Sequence, residues 1–203
     1  MHLPVRSFCS VMRLFHTLLL TIALWAFSFA HAEEPAVPAG FSSLELKDIK
    51  TTLFKPDGWH VLHLKRTKPE GPLGYQITLE DIEKLGGFKT GLTINVFDKV
   101  EEHHGVKPSV FAAELSKRYA AKGEIESFKD GIETGDLKVS RLRLRRMMKL
   151  LGQETETMLV FTTMANDKTG TCFLFIFGTP VAEWAANEKL LIQMSRVDVD
   201  EER

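Results

Sequence analysis

The chain has 203 residues, with 26 basic and 27 acidic side chains and a formal net charge of −1. Such a near-neutral surface argues against bulk binding to nucleic acid, which depends on clustered cations, and we expect no nucleic-acid partner. The length suits one domain with a proper hydrophobic core.

The N-terminus has the pattern of a secretory signal peptide. Arg6 and Arg13 precede the apolar run 14–30, and Ala30-His31-Ala32 places small residues three and one positions before a cleavage site. The run is slightly short for a membrane-spanning helix, although an uncleaved anchor is the alternative. We therefore predict cleavage of residues 1–32, release of a chain that begins at Glu33 into the periplasm or medium, and no stable membrane span afterwards.

Cleavage leaves a single cysteine, Cys172, because Cys9 lies in the predicted signal peptide. An intramolecular disulfide is then impossible, so the fold must depend on its core. Cys172 lies in an apolar run, which is typical of a buried and unreactive thiol.

The first part of the mature chain is rich in β-prone segments and turns. Residues 33–42 read as a flexible linker and residues 43–197 as one domain. Pro56-Asp57-Gly58 is a turn signal, which predicts a hairpin between the segments 44–54 and 59–65. Alternating apolar residues predict further strands at 75–79 and 92–96, with a short helix between them that starts near Thr78 and Asp81 and ends at Gly86-Gly87.

The second part begins with a helix over residues 108–122, since Pro108 suits a first helical turn and Gly123 could cap the end. Strands are expected near 125–132, 137–147, 156–164 and 171–177. A last helix follows Thr179-Pro180 with Trp184, Leu191 and Met194 on its buried side, and residues 198–203 form a charged tail.

The segment Thr171–Phe177 is the most informative strand. Phe173, Phe175 and Phe177 alternate with Cys172, Leu174 and Ile176, so both faces are apolar and the strand should lie centrally in a sheet covered on both sides. Short links between consecutive strands favour antiparallel pairing. The sequence therefore predicts an α+β fold: a mainly antiparallel sheet flanked by helices on both faces, an α/β/α sandwich.

This order of elements resembles the Mog1/PsbP-like superfamily. The resemblance rests on the turn Phe54-Lys55-Pro56-Asp57-Gly58-Trp59, the strand 91–96, the helix 108–122 and the junction 175–180. It implies membership of a group made up mainly of non-catalytic binding and assembly factors, and together with the predicted signal peptide it indicates an exported, bacterial-type member. The nuclear GTPase and photosystem II partners known in that group do not carry over to this chain.

Four arginines form the densest basic cluster, which makes them a candidate binding surface. Arg141, Arg143 and Arg145 alternate along one face of a strand, and Arg146 lies beside them. They could bind a protein or another anionic partner through the planar guanidinium group. The alternative is structural: the row could pair with acidic residues on neighbouring strands, such as Glu154 and Glu156.

Four histidines remain in the mature chain. His103 and His104 follow two glutamates in a polar segment ending at Gly105, a composition that suits zinc or copper, although a solvated loop is the alternative. His60 and His63 would face opposite sides of a regular strand and could not share a metal.

Familiar catalytic motifs are missing from the sequence, which has no Gly-x-Ser-x-Gly, His-Glu-x-x-His, phosphate loop or Cys-x-x-Cys. No cofactor is therefore expected, and the first hypothesis is an exported, non-catalytic binding or assembly module. Two alternatives remain open at this stage. One is a small exported enzyme with a dispersed histidine and carboxylate site, and the other is a carrier of an apolar ligand.

Overall fold

The computed structural model describes residues 36–47, 51–194 and 197–199, so the predicted signal peptide lies outside the described residues. The described residues from Val37 onward belong to one compact unit. Among the described residues, none of the helices has the length and apolar character needed to cross a membrane.

The described residues form ten β-strands and four α-helices. The strands are β1 Phe41–Leu46, β2 Thr51–Pro56, β3 His60–Leu64, β4 Leu73–Thr78, β5 Gly91–Phe97, β6 Glu124–Thr134, β7 Leu137–Leu150, β8 Gln153–Asn166, β9 Thr171–Pro180 and β10 Val197–Val199. The helices are α1 Ile82–Leu85, α2 Val100–His104, α3 Pro108–Ala120 and α4 Trp184–Met194, with a 3-10 turn at Val181–Glu183 before α4.

Seven strands form the main sheet, in the order β3-β4-β5-β9-β8-β7-β6, and every neighbouring pair is antiparallel. Strand β9 occupies the middle. Leu174 is buried on one face and Phe177 on the other, because successive side chains of a strand point to opposite faces. The predicted central position of this strand is confirmed.

Helix α4 and a small sheet cover the first face, on which Phe177 lies. The small sheet has the order β1-β2-β10, and Leu53 of β2 packs in one buried cluster with Phe177, Leu191 and Met194. Trp184 is partly buried against the same cluster, so the predicted apolar side of the last helix is confirmed.

Helix α3 covers the second face, on which Leu174 lies. Leu142, Leu144 and Phe161 form a buried cluster with Leu174 below the helix. The ring of Tyr119 on α3 stacks on Phe161 with the two centroids 4.3 Å apart. Because helices lie on both faces of a mainly antiparallel sheet, the predicted α+β sandwich is confirmed.

The predicted hairpin across Pro56-Asp57-Gly58 is wrong, although the turn itself is present. Gly58 has a φ of 77°, and the Trp59 amide donates to the Pro56 carbonyl at 3.2 Å. The strands on either side of the turn do not pair with each other. Strand β2 pairs with β1 and β10, whereas β3 pairs with β4 at the edge of the main sheet. The turn therefore connects the two sheets.

The sequence predicted that Gly123 caps the end of α3, and this prediction is wrong. The helix ends at Ala120, and its C-cap is Ala121 in the right-handed helical region. Gly123 serves close packing, since a Cβ at this position would lie 2.6 Å from the Arg145 carbonyl oxygen. A side chain there would push the chain away from β7.

The single segment predicted at 44–54 forms two strands that pair with each other, β1 and β2, and β1 begins at Phe41 inside the predicted linker. Two further short elements were not expected from the sequence. Residues 100–104, interpreted as part of a polar loop, form helix α2, which ends at Gly105 with a φ of 71°. Residues Val197–Val199 pair with β2, so the predicted charged tail begins inside a strand, and residues 200–203 lie outside the described residues.

Helix α3 is capped from outside its own sequence. Its N-cap residue, Lys107, makes no side-chain capping bond. Instead, the Asp167 carboxylate accepts hydrogen bonds from the Ser109 amide and hydroxyl, each at 2.8 Å. Burial opposes ionisation of Asp167, but the bonds from Ser109 and the nearby Lys138 ammonium outweigh it, so the pKa of this carboxyl is lowered.

We expect Asp167→Ala to lower the free energy of unfolding by about 1 kcal/mol at neutral pH, because it removes the cap of α3. The pKa is lower in the folded chain than in the unfolded one. The stabilisation is therefore complete above the usual carboxyl pKa of about 4 and disappears as the pH falls through the folded value. Urea unfolding of both proteins between pH 7 and pH 2 measures this, and a stability difference that does not shrink at low pH would contradict it.

Candidate functional site

The arginine row lies on β7, where the strand's alternation divides the four predicted side chains. Arg141, Arg143 and Arg145 project from the face that α4 covers, and Arg146 projects from the face of α3. Only three of the four residues therefore share one surface.

Two of these arginines are held by the chain's own carboxylates. The Nε atoms of Arg143 and Arg145 lie 2.9 and 2.8 Å from the two carboxylate oxygens of Glu126 on β6. Both Nε atoms are buried, and neither N–H points along a hydrogen bond, so these contacts are close ion pairs. One carboxylate, on a side chain that is 21% exposed, thus bridges two guanidinium groups.

Further contacts surround the pair. Arg143 lies 3.7 Å from Glu188 on α4, and its guanidinium lies over the Trp184 ring at 5.7 Å from the centroid. Arg145 also approaches Glu124 at 3.5 Å and Glu156 at 3.9 Å. The structural alternative from the sequence therefore describes these two residues, although three of the four partners, including Glu126, were not expected.

Arg141 differs from its neighbours because it is exposed and faces another cation. It lies opposite Lys129 in the register of β6 and β7. Among the described residues, the ion pairs on β7 involve Lys138, Arg143 and Arg145. Arg141 and Lys129 therefore present two positive charges side by side, and the anion-binding role of the row stays a prediction that rests mainly on them.

Strand β6 forms one edge of the main sheet and carries the acidic partners of the row. All eleven of its residues are exposed, and it pairs with β7 on one side only. Ile125 and Phe128 lie opposite Leu144 and Leu142 in the register and are 50% and 47% exposed. This edge therefore combines free backbone groups with apolar side chains that are not covered by the described part of the chain.

The predicted metal ligands His103 and His104 lie at the end of helix α2. The His104 ring stacks on Phe111 with a centroid distance of 4.5 Å and meets the edge of Phe97 at 6.3 Å. Among the described residues, no three His, Cys, Asp or Glu side chains are grouped so that they could hold a metal ion. The zinc or copper site stays a prediction, and His104 already has a packing role.

The remaining titratable candidates do not converge. His60 and His63 lie three residues apart on β3 and so face opposite sides, and the His63 ring stacks on Tyr75 at 4.7 Å. Cys172 is fully buried, and burial raises the pKa of its thiol to about 12. The predicted burial of Cys172 is confirmed, and the raised pKa favours the protonated thiol at neutral pH.

An open cleft of about 570 Å³ lies on the α3 face of the main sheet, where the β7–β8 hairpin ends. Its floor includes Thr93 and Ile176, and its walls come from the loop after α1 and from the hairpin turn. Most of the lining is apolar, and its side chains include Leu85, Phe88, Met148, Leu150, Leu151 and Leu159, together with Thr157. Lys89 supplies its cation, Lys149 borders it from a position of β7 that faces α4, and none of the described Asp or Glu residues lines it.

The turn that closes the β7–β8 hairpin has an unusual residue. Leu150 pairs with Gln153, so the two-residue turn consists of Leu151 and Gly152, whose φ values are 48° and 84°. Such turns favour Asn-Gly, and a bulky side chain at positive φ is strained. Leu151 lines the cleft, and its Cδ2 would lie 3.4 Å from a Cβ at Gly87 on the opposite wall.

Double substitution Arg143→Gln with Arg145→Gln should lower the free energy of unfolding by about 1–2 kcal/mol, since it leaves the Glu126 carboxylate, whose side chain is 21% exposed, without a partner. Arg141→Gln should change it by less than about 0.5 kcal/mol, because this side chain is exposed. Urea unfolding distinguishes the variants. Equal stability of the double variant and the parent chain would show that the bridging ion pairs contribute nothing.

Comparison with known proteins identifies the fold of the chain by structural similarity. No family model and no curated protein matches the chain. Cyanobacterial PsbP (CyanoP) from Synechocystis sp. PCC 6803 is similar in structure, with a TM-score of 0.53 at 13% identity over 81% of this chain and 95% of that one. The Saccharomyces cerevisiae Ran-binding protein Mog1p has a TM-score of 0.45 at 12% identity over 78% of this chain and 95% of that one. A Pseudomonas aeruginosa protein of unknown function, PA94, has a TM-score of 0.41 at 12% identity over 75% of this chain and 92% of that one. The chain has a Mog1/PsbP-like fold.

Proposed function

We propose that this chain is an exported, non-catalytic binding or assembly module that recognises a protein partner through the β6 edge of its main sheet. The observation that carries the proposal is the exposure of all eleven residues of β6 at that edge. An extended segment of a partner would add to the sheet there, and its main chain would pair with the free backbone groups of β6.

The side chains of the edge suggest what the partner segment contains. Ile125 and Phe128 lie on the α3 face, where apolar side chains of an added strand would cover them. Arg141 and Lys129 lie together on the other face and favour a carboxylate. A strand with alternating apolar and acidic residues matches both faces, and this surface includes part of the arginine row that the sequence singled out.

The register of β6 supports selective pairing. It shifts between Ile125 and Ser127 and again between Lys129 and Ile132. Such bulges twist an edge strand and discourage indiscriminate pairing with other sheets. Glu124 and Glu126 are already neutralised by arginines, so they would not repel an acidic partner as strongly as bare carboxylates.

Export belongs to the proposal and rests on the sequence of residues 1–32. We expect the protein purified from its native host to have a mass that begins at Glu33. Mass spectrometry of the intact protein measures this. A chain that retains its N-terminus and sediments with membranes would replace the exported module with a membrane-anchored one.

A photo-activated crosslinker placed at Phe128 in the native host should capture one recurrent protein. The same crosslinker at Val61, which is 41% exposed on β3 at the opposite edge, should not capture it. The adduct is identified by mass spectrometry of its peptides, which should come from an extended segment of the partner.

Variants of the edge test whether the captured protein binds there. Ile125→Ser with Phe128→Ser should weaken the complex at least tenfold, and Arg141→Glu should weaken it through charge alone, whereas Val61→Ser should leave it unchanged. Affinities are measured with purified components, and circular dichroism checks the fold of each variant. A complex that survives all β6 variants would place the partner elsewhere.

A further inference from the structure

The cleft beside the β7–β8 turn is the feature that neither the edge proposal nor the packing of the core explains. We propose that it binds a small amphiphile with an apolar chain and a carboxylate end. This inference goes beyond the proposed function, because the cleft lies at the closed end of the hairpin, past Arg145, where the pairing of β6 with β7 stops.

Size and lining support a small-molecule site. A cleft of about 570 Å³ falls within the range of about 300–1,000 Å³ that is typical of ligand pockets. Ile176 and Thr93 of its floor are only partly buried, and Leu85 on its wall is 57% exposed. Apolar side chains that line a concavity and remain this accessible would be covered by a bound apolar chain.

The charges of the lining select the ligand's polar end. Lys89, which precedes β5, lines the cleft and supplies its cation. Lys149 also borders the cleft, but it shares a strand face with Arg141, Arg143 and Arg145, so its side chain projects from the α4 face. Because none of the described Asp or Glu residues lines the cleft, a cationic ligand would find no partner there, whereas a carboxylate could accept hydrogen bonds from the Lys89 ammonium.

The strain at Leu151 is an independent observation. A residue with φ of 48° is strained unless it is glycine, asparagine or aspartate, and the type of turn formed here favours Asn-Gly. Leucine at this position makes the turn less stable than asparagine would, but its apolar side chain reaches across the cleft towards Gly87. Strain of this kind is concentrated at functional sites.

The experiment is calorimetric titration of the purified chain with three twelve-carbon probes below their micelle concentrations: laurate, dodecanol and dodecylammonium. We expect one laurate per chain, weaker binding of dodecanol and the weakest binding of dodecylammonium. If laurate binds no better than dodecylammonium, the charge assignment is overturned. If none of the probes binds, the site itself is overturned.

Lysine variants test the carboxylate end. Lys89→Gln should weaken laurate about tenfold and leave dodecanol nearly unchanged, because a charge-assisted hydrogen bond is lost. Lys117→Gln is the matched control, since it removes the same charge from an exposed position on α3 and should have no effect. Equal weakening in both variants would show that Lys89 has no specific role.

Two variants test the apolar part. Thr93→Phe fills the floor and should abolish binding of laurate and dodecanol alike. Leu151→Asn should weaken both probes while raising Tm by about 2 °C, because it relieves the strained turn. A merely structural leucine would give the Tm increase without the loss of binding, so unchanged binding in Leu151→Asn would contradict the proposal even if Thr93→Phe fails to fold.

Native mass spectrometry tests the competing occupant, a second copy of the chain. The proposal requires a monomer that gains the mass of one laurate. A dimer that dissociates in Leu151→Asn and does not take up laurate would assign the cleft to self-association and overturn the inference.

Discussion

The packing of β9 on both of its faces is the constraint on which the rest of the structure depends. Phe175 and Phe177 build the core under α4 and the small sheet, while Cys172 and Leu174 build the cores under α3. A strand that is buried on both sides needs a complete layer over each face, because uncovered apolar area costs about 25 cal/mol per Å². The two helices and the small sheet meet that requirement.

The β7–β8 hairpin determines where the sheet offers surfaces for binding. Its strands pair over fourteen residues each, from Leu137–Asn166 to Leu150–Gln153. The pairing of β8 with β9 ends at Thr157 and Pro180, so the hairpin continues past its neighbour. The end of the hairpin becomes one wall of the cleft, since no strand of the described residues pairs with β8 beyond Thr157 on that side. A mismatch in strand length thus produces a concavity without any loss of pairing in the core.

Sequence reasoning succeeded where a local pattern has one physical outcome. The double apolar alternation of 171–177 required a central strand, and Pro108 marked the start of α3 correctly. It failed where the outcome depends on distant residues. The turn at Pro56-Asp57-Gly58 is visible in the sequence, but which strand pairs with β2 depends on β1 and on residues 197–199.

The same limit applied to the candidate site. The alternation of side chains along a strand correctly placed Arg143 and Arg145 on one face. Glu126 lies between them because of bulges in β6, and no pattern in the sequence near Glu126 indicates these bulges. For Leu151 a signal existed, since a leucine precedes the only glycine between two long strands.

Electrostatics explains why only part of the basic row is suited to binding. Edge strand β6 carries glutamates at 124, 126 and 133, and unpaired carboxylates beside the arginines would oppose pairing with an acidic segment. Arg143 and Arg145 neutralise Glu124 and Glu126 from β7, so the guanidinium groups of these two arginines are not available to external anions. Because Lys129 and not a carboxylate lies opposite Arg141, this arginine is the one on the α4 face of β7 that forms no ion pair with a described residue. The row is therefore divided by its partners on β6: two arginines stabilise the edge, and the third, with Lys129, sets the sign of the charge that the edge can accept.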